Sequence, residues 1–219
     1  NMASKYLSSL SKDDYSKLTE KLWNIQTEKC YICEDEIDLK LNTTNIDHII
    51  PLANKGKDSE ENFAVTHESC NKSKQDANLK IARVLARLNK IQNKVALNGN
   101  KSASLKDVLD FYKGSKFEFK HTIEGDVLNY SFSNNGDNTI YKTKIFTDNL
   151  SDEKTCFIEM PIEYIFHDEI INPRGINRSI GKLVKEFDKG NPQLHLSLVR
   201  IHENKLKVFD GQHKAVAQI

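Results

Sequence analysis

The sequence predicts an α+β fold in three parts, and three observations predict it. Two short knuckles, Cys30-x-x-Cys33 and His67-x-x-Cys70, bracket a polar stretch. Apolar residues recur at helical spacing on either side of them, before residue 28 and from His67 onward. Beyond Lys116 the period shortens to the alternation of strands, and beyond 155 strand and helix signals alternate. The expected parts are a zinc-stapled module with flanking helices over 1–115, a β-rich connector over 116–155, and a small α/β domain over 156–219.

Composition narrows the class. Hydrophobic residues make up 38% and charged residues 29% of the 219 residues, which is ordinary for a soluble globular chain. No run of about 18 apolar residues is present, so no membrane span is expected. The start, NMASKYLSSL, lacks the basic-then-apolar layout of a secretory signal, and a cytoplasmic location is expected. Asn1 ahead of Met2 reads as a tag remnant. The last helix signal stops at Ile219, about two turns in, as though the chain were cut from a longer parent. The net charge of +1 averages unlike regions: residues 71–116 hold eleven Lys or Arg against three acids, Asp76, Asp107 and Asp110. Such a block suits a polyanionic partner such as DNA, and equally a solvated helix face.

The elements follow in order. Residues 5–28 read as a helix, with Ser11 as a cap before Asp13 and Asp14, and with Tyr15, Leu18, Leu22 and Ile25 on one face. Residues 29–50 read as the first knuckle, a polar loop and a β-hairpin ending at Asp47-His48, and 51–66 as a loop broken by Pro51 and Gly56. One basic amphipathic helix is expected from His67 to about Leu97, with Ile81, Val84, Leu85, Leu88, Ile91 and Val95 as its apolar stripe. A linker over 97–104 leads to a short helix capped by Ser104 and running through Tyr112. Phe117, Phe119, His121 and Ile123 then alternate with polar residues, and Asn134 to Asn138 signals a hairpin turn. The last part reads as strand 156–162, helix 177–188, strands 195–202 and 205–209, and a helix from 212.

The cysteines are four: Cys30, Cys33, Cys70 and Cys156. Without a secretory context a Cys-x-x-Cys pair reads first as a metal knuckle and second as a redox pair. A structural Zn²⁺ takes four N or S ligands in a tetrahedron, and each knuckle offers two from one tight turn. Cys30, Cys33, His67 and Cys70 are therefore the expected zinc ligands, closing the loop between them and stabilising a module with a small apolar core.

Between and after the knuckles stand Ile46-Asp47-His48-Ile49-Ile50-Pro51, Gly56, Asn62 and Cys70-Asn71-Lys72-Ser73-Lys74. Over about residues 28–75 this pattern resembles the HNH endonucleases of the ββα-metal class, with their CxxC, DHxxP, glycine loop, Asn and CxxCNxxK. The resemblance implies cleavage of DNA phosphodiester bonds. Hydrolysis needs an activated water and a neutralised phosphate. His48 in its neutral form is suited to accept the proton near pH 7. Asp47 and Asn71 supply hard oxygen ligands for one Mg²⁺ or Mn²⁺. By resemblance, Asn62 fixes the loop that orients the base and Lys74 lies near the phosphate. The sequence departs from the family at His67, usually Cys, at Gly56-Lys57, usually two glycines, and at Asn71 in place of His. The last exchange favours an oxygen-preferring metal.

A weaker resemblance covers 157–217. Pro161 to Ile165, Asn172-Pro-Arg174-Gly-Ile-Asn177, Ser179-Ile180 and Val208-Phe-Asp210-Gly211-Gln212-His213-Lys214-Ala215 are similar to ParB and sulfiredoxin relatives of the DGQHR type, found in DNA-modification and defence systems. That resemblance implies a nucleotide or nucleic-acid phosphate held at Asp210, Gly211, Gln212, His213 and Lys214 with help from Arg174. Lys214 stands where the motif has Arg, which loses a bidentate fork. His121, His167, His195 and His202 belong to no spaced motif.

Two functions from different classes follow. The first is a metal-dependent endonuclease, with a restriction or phage-defence role and a nucleotide- or DNA-sensing C-terminal part. The second is a non-catalytic, zinc-containing DNA-binding regulator. A redox role for Cys30 and Cys33 is a third.

Overall fold

The computed structural model describes residues 4–74, 77–99, 102–112, 117–133, 139–176, 180–191 and 196–218. The expected turn at 134–138, Asn177, Ser179 and His195, and Asp76, Lys101, Lys113 and Lys116 of the basic block lie outside the described residues. The chain divides into two compact units, Asn1–Lys90 and Ile91–Ile219.

In the first unit, the stretch expected as one helix is two: α1 (Lys5–Ser9) and α2 (Lys12–Ile25). The break falls where Ser11 turns extended, its Oγ accepting from Asp14 N at 3.1 Å. A side-chain oxygen that satisfies a free helix-start N–H ends one helix and begins the next. Leu18 and Leu22 are buried, whereas Ile25, expected on the same face, is 68% exposed at the helix end.

β1 (Thr44–His48) and β2 (Phe63–His67) form an antiparallel ribbon, pairing Thr44 with His67, Asp47 with Ala64 and His48 with Phe63. This corrects two expectations. No hairpin lies within 29–50, where the first knuckle has only the isolated bridge between Lys29 and Glu36. The stretch 51–66, expected as loop, ends in a strand. Phe63-Ala-Val-Thr66 is buried at all four positions, and such a run lacks the apolar–polar alternation that marks a half-buried strand. The ribbon packs with Leu18, Leu22, Ile32, Ile37, Leu79 and Ala82 in one core.

The long helix expected from His67 is also two. α3 (Glu68–Ser73) follows β2 directly, and α4 (Leu79–Leu97) starts anew, with Asn78 Oδ1 accepting from Ile81 N at 2.8 Å. Of the expected apolar stripe, Ile81, Ile91 and Val95 are buried, and Val84, Leu85 and Leu88 half-buried.

In the second unit, after the last turns of α4, α5 (Leu105–Phe111) is opened by a reciprocal cap between Ser104 and Asp107. Four strands, β3 (Phe119–Glu124), β4 (Val127–Phe132), β5 (Tyr141–Thr147) and β6 (Lys154–Cys156), form an antiparallel sheet in chain order. The strand expected over 156–162 is thus a three-residue closing strand of this sheet, and β7 (Ile165–His167) opens the next one after a turn at Ile162–Tyr164. α6 (Ile180–Asp188), β8 (Leu198–His202), β9 (Lys205–Asp210) and α7 (Gln212–Gln218) complete the unit. In the order β7-β9-β8, β7 runs parallel to β9 and β8 antiparallel to it. Asp168, just past β7, is fully buried and holds Arg200 of β8 through both Nε and a terminal nitrogen.

The two sheets share a core. Leu206 of β9, 1% exposed, clusters with Phe119, Leu128, Tyr130, Phe132 and Ile145 of the four-stranded sheet. Phe119 N donates to Asn204 O at 2.7 Å, tying β3 to the β8–β9 turn. Leu206→Ala is expected to destabilise the second unit by about 2–5 kcal/mol, the cost of removing a well-packed leucine. Urea unfolding followed by near-ultraviolet circular dichroism reads this loss.

Candidate metal centre and catalytic loop

The first knuckle is a turn held by its own backbone. Glu34 N donates to Cys30 O and Cys30 N to Asp35 O, both at 2.9 Å. The second sits where β2 runs into α3, which puts His67 and Cys70 on one turn. Pairing of Tyr31 N with Val65 O at 3.0 Å brings the two turns together.

The ligand atoms of Cys30, Cys33, His67 and Cys70 all lie within 4.8 Å of one another. His67 Nδ1 is 3.5 Å from Cys33 Sγ and 3.9 Å from Cys70 Sγ. His67 N–H points at Cys30 Sγ, 3.4 Å away. Burial, and then the neighbouring cysteines, push the Cys33 and Cys70 thiols up. Three sulfurs and one ring nitrogen gathered in this way are a donor set that Zn²⁺ accepts. Cys156, on β6 of the second unit, takes no part.

α4 clamps the first knuckle. Arg83 Nε and Arg87 reach Glu34 Oε1 at 3.3 and 2.6 Å, and Lys90 Nζ reaches Asp35 Oδ1 at 2.7 Å and donates to Cys33 O. Arg83 also lies over the Tyr31 ring, 4.4 Å from its centroid. The Arg87 guanidinium first of all, and Lys90 in turn, hold the Glu34 and Asp35 carboxyls below the usual range. Part of the basic block, expected to suit either a polyanionic partner or a solvated helix face, is thus paired within the chain. Its central charges face two acids of the knuckle, and Lys72 faces Glu68 at 3.0 Å.

The loop between β1 and β2 is clipped by Asn62. Its Oδ1 accepts from Ile50 N at 2.9 Å, and its Nδ2 donates to Ile50 O and Lys57 O, both at 2.8 Å. Its own backbone O accepts from Ile49 N at 2.7 Å. Asn62 is 8% exposed, so these bonds are made away from competing water. Gly56 fits beneath the clip because it has no side chain: a Cβ there would lie 1.8 Å from Ile50 O and 2.9 Å from Asn62 Nδ2.

The candidate catalytic side chains stand beside this clipped loop. His48 is 9% exposed, its ring set edge-on to Phe63 at 4.9 Å between centroids. His48 Nδ1 is 3.9 Å from Asp47 Oδ1, and Asp47 Oδ2 is 2.9 Å from Lys74 Nζ. Asn71 lies one turn before Lys74 on α3, a helix packed against both strands of the ribbon, and its side chain makes no hydrogen bond among the described residues. Of the expected catalytic residues, His48, Asp47 and Lys74 are thus brought together and Asn62 supports them. Lys74 is engaged with Asp47, where a phosphate neighbour was expected.

One residue of the site carries no sequence signal. Asp58 Oδ1 is 2.9 Å from His48 Nε2. The same carboxylate accepts from Ser4 Oγ at 2.5 Å and from Tyr6 N at 3.0 Å. The Ser4 hydroxyl first, then the Tyr6 amide and the His48 ring, hold its carboxyl down to about 2 against the opposing effect of burial. The same Ser4 Oγ accepts from Leu7 N as the cap of α1.

Residues 30–77 match the family model described as HNH endonuclease. The match spans both knuckles, the clipped loop and Lys74, and so coincides with the geometry above. No curated protein and no solved structure matches the chain.

The candidate residues of the second unit are arranged differently. Arg174 Nε donates to Asn172 Oδ1 at 3.0 Å, and Gln212, 4% exposed, donates to Asn172 O at 2.9 Å. Asp210 Oδ1 accepts from Gly211 N at 2.8 Å. Gly211 has φ +84, and a Cβ there would meet Ser197 Oγ at 2.7 Å. Burial, then the charge of Arg174, pull the His213 pKa down. Lys214 follows in the first turn of α7. Arg174 and Gln212 therefore converge on Asn172.

Metal analysis of the purified protein is expected to find about one zinc per chain, and Cys33→Ser or Cys70→Ser to lower that content. Chelation should cost the first unit on the order of 10 kcal/mol, since the metal's binding free energy is folding free energy. A zinc-free, fully folded wild type would contradict the assignment.

Proposed function

We propose that the chain is a metal-dependent endonuclease that hydrolyses DNA phosphodiester bonds with His48 as the general base. The observation that carries the reading is the setting of His48, clamped between an ionised carboxylate and the Asp47–Lys74 pair within the segment that matches the HNH family.

A carboxylate only accepts, so the proton between Asp58 and His48 sits on Nε2, and the lone pair is on Nδ1. Nδ1 is the nitrogen beside Asp47. A water placed there gives its proton to Nδ1 as its oxygen attacks phosphorus, and the bond to the leaving 3′ oxygen breaks. The imidazolium so formed is stabilised by Asp58, which stays ionised through the neutral range. Asp47 and Asn71 would hold a divalent cation, which would supply charge neutralisation of the phosphate and of the leaving oxygen. Asn62 keeps the loop in shape, and Lys74 is the nearest ammonium to share the phosphate's charge. The proposal confines chemistry to the first unit, because Arg174 and Gln212 of the second are engaged with Asn172.

Two outcomes test it. His48→Ala is expected to lower Mg²⁺- or Mn²⁺-dependent plasmid nicking by about 10²–10⁴-fold, the usual size of a general-base contribution, with zinc content unchanged; equal nicking by mutant and wild type refutes the base. Asp58→Ala is expected to lower kcat more than it raises KM. It should also turn the His48 nitrogen-15 spectrum from the Nε2–H tautomer to a mixture of both. A wild-type spectrum in that variant would remove Asp58 from the mechanism.

A further inference from the structure

Opposed residues of an antiparallel pair share a face, and alternate residues of one strand do too. The register of the four-stranded sheet therefore gives it one core face and one outer face. Phe119, Leu128, Tyr130, Phe132 and Ile145 lie on the core side. Lys120, opposite Ser131, Lys142, opposite Asn129, and Lys144, opposite Val127, lie on the outer side, with Phe146, opposite Thr155.

The three lysines are exposed, and none of them has a charged partner among the described residues. The single acid on that face within the paired strands is Glu124, at the far end of β3. Phe146 is 48% exposed and Phe157 is 66% exposed, and their rings meet at 6.0 Å and 71°. Lys144 Nζ lies 5.8 Å from the centre of the Phe146 ring. Leaving two phenylalanines half to two thirds exposed forgoes roughly half of the about 1.5–3 kcal/mol that full burial of each would bring, so an open aromatic pair beside ammoniums without carboxylate partners favours an occupant. Lys142, Lys144 and Phe146 recur every second residue, about 6.6 Å apart along β5. Such a row offers charge and then an aromatic ring to an extended polymer that carries both phosphates and flat bases. An acidic protein would use the lysines and leave the rings without a matching group.

We propose that the outer face of this sheet binds single-stranded DNA, with Lys120, Lys142 and Lys144 on the phosphates and Phe146 and Phe157 stacking on bases. The proposal deepens the nuclease reading, on which its choice of DNA rests, by giving the substrate a holding surface in the second unit. It does not require cleavage.

The experiment is fluorescence anisotropy of a labelled oligothymidylate with the full chain and no added divalent metal, at several salt concentrations. Lys142→Glu with Lys144→Glu is expected to weaken binding at least about 10-fold and to flatten the logarithmic salt slope by about 0.7 per lost lysine contact. Phe146→Ala and Phe157→Ala should each weaken it about 5- to 100-fold, with a smaller effect on a duplex of the same length. Wild-type affinity in both phenylalanine variants, with melting temperatures unchanged, would overturn the proposal even if the lysine variants bind less, since any polyanion would then serve. Loss of binding to an acidic polypeptide in parallel with loss of DNA would overturn it too. A wild type that binds but never nicks sinks the nuclease reading alone.

Discussion

The candidate site depends on the register of a ribbon five residues long on each strand. At one end of it Thr44 pairs with His67, and His67 reaches the three sulfurs. At the other, His48 pairs with Phe63, and Asn62 clips the loop beyond. Side chains of a strand alternate between faces, so a slip of one residue would exchange Asp47 for His48. The knuckles and the clip each pin one end of the pairing, and both strands are held against such a slip. The histidine thereby keeps its ring on the core side, against Phe63, while Asp47 points to α3 and Lys74.

The parts legible in the sequence are those in which a chemical type recurs at a fixed short interval. The knuckles announced themselves because two ligands from one turn must stand close in sequence, and the gathering of Cys30, Cys33, His67 and Cys70 follows from that. Ser11 and Ser104 were legible as caps because a cap acts on amides two or three residues away. β2 was not legible, since a strand buried on both faces shows no alternation. The break between α3 and α4 was also hidden, because Glu68–Ser73 is polar apart from Cys70 and offers no apolar spacing whose interruption would mark it.

Long-range pairing accounts for the rest. Asp58 is an ordinary acid of a polar loop until Ser4, 54 positions earlier, folds beside it. The basic character of α4 is read as suiting solvent or a polyanion because the acids that meet it, Glu34 and Asp35, lie far upstream, 53 positions before Arg87 and 55 before Lys90. In both cases the sequence displays the charges but not which of them neutralise one another. The C-terminal motif shows the same limit: Asp-Gly-Gln-His reads as a phosphate turn, whereas its glutamine is turned inward to a backbone carbonyl.

The ammonium of Lys74 on Asp47 has one more consequence. A carboxylate facing a polyanion would push it away, yet here the polypeptide carries its own counter-ion, 12% exposed, seated 2.9 Å from the carboxylate oxygen. The Asp47 carboxylate is therefore balanced by an ammonium of its own chain before any dissolved ion arrives. Were a divalent ion to bind at Asp47, as proposed, it would have to trade places with that ammonium or share the carboxylate with it, and its affinity would be an exchange constant, weaker than that of a bare acid. The displaced lysine would then be at liberty on the side from which a phosphate approaches.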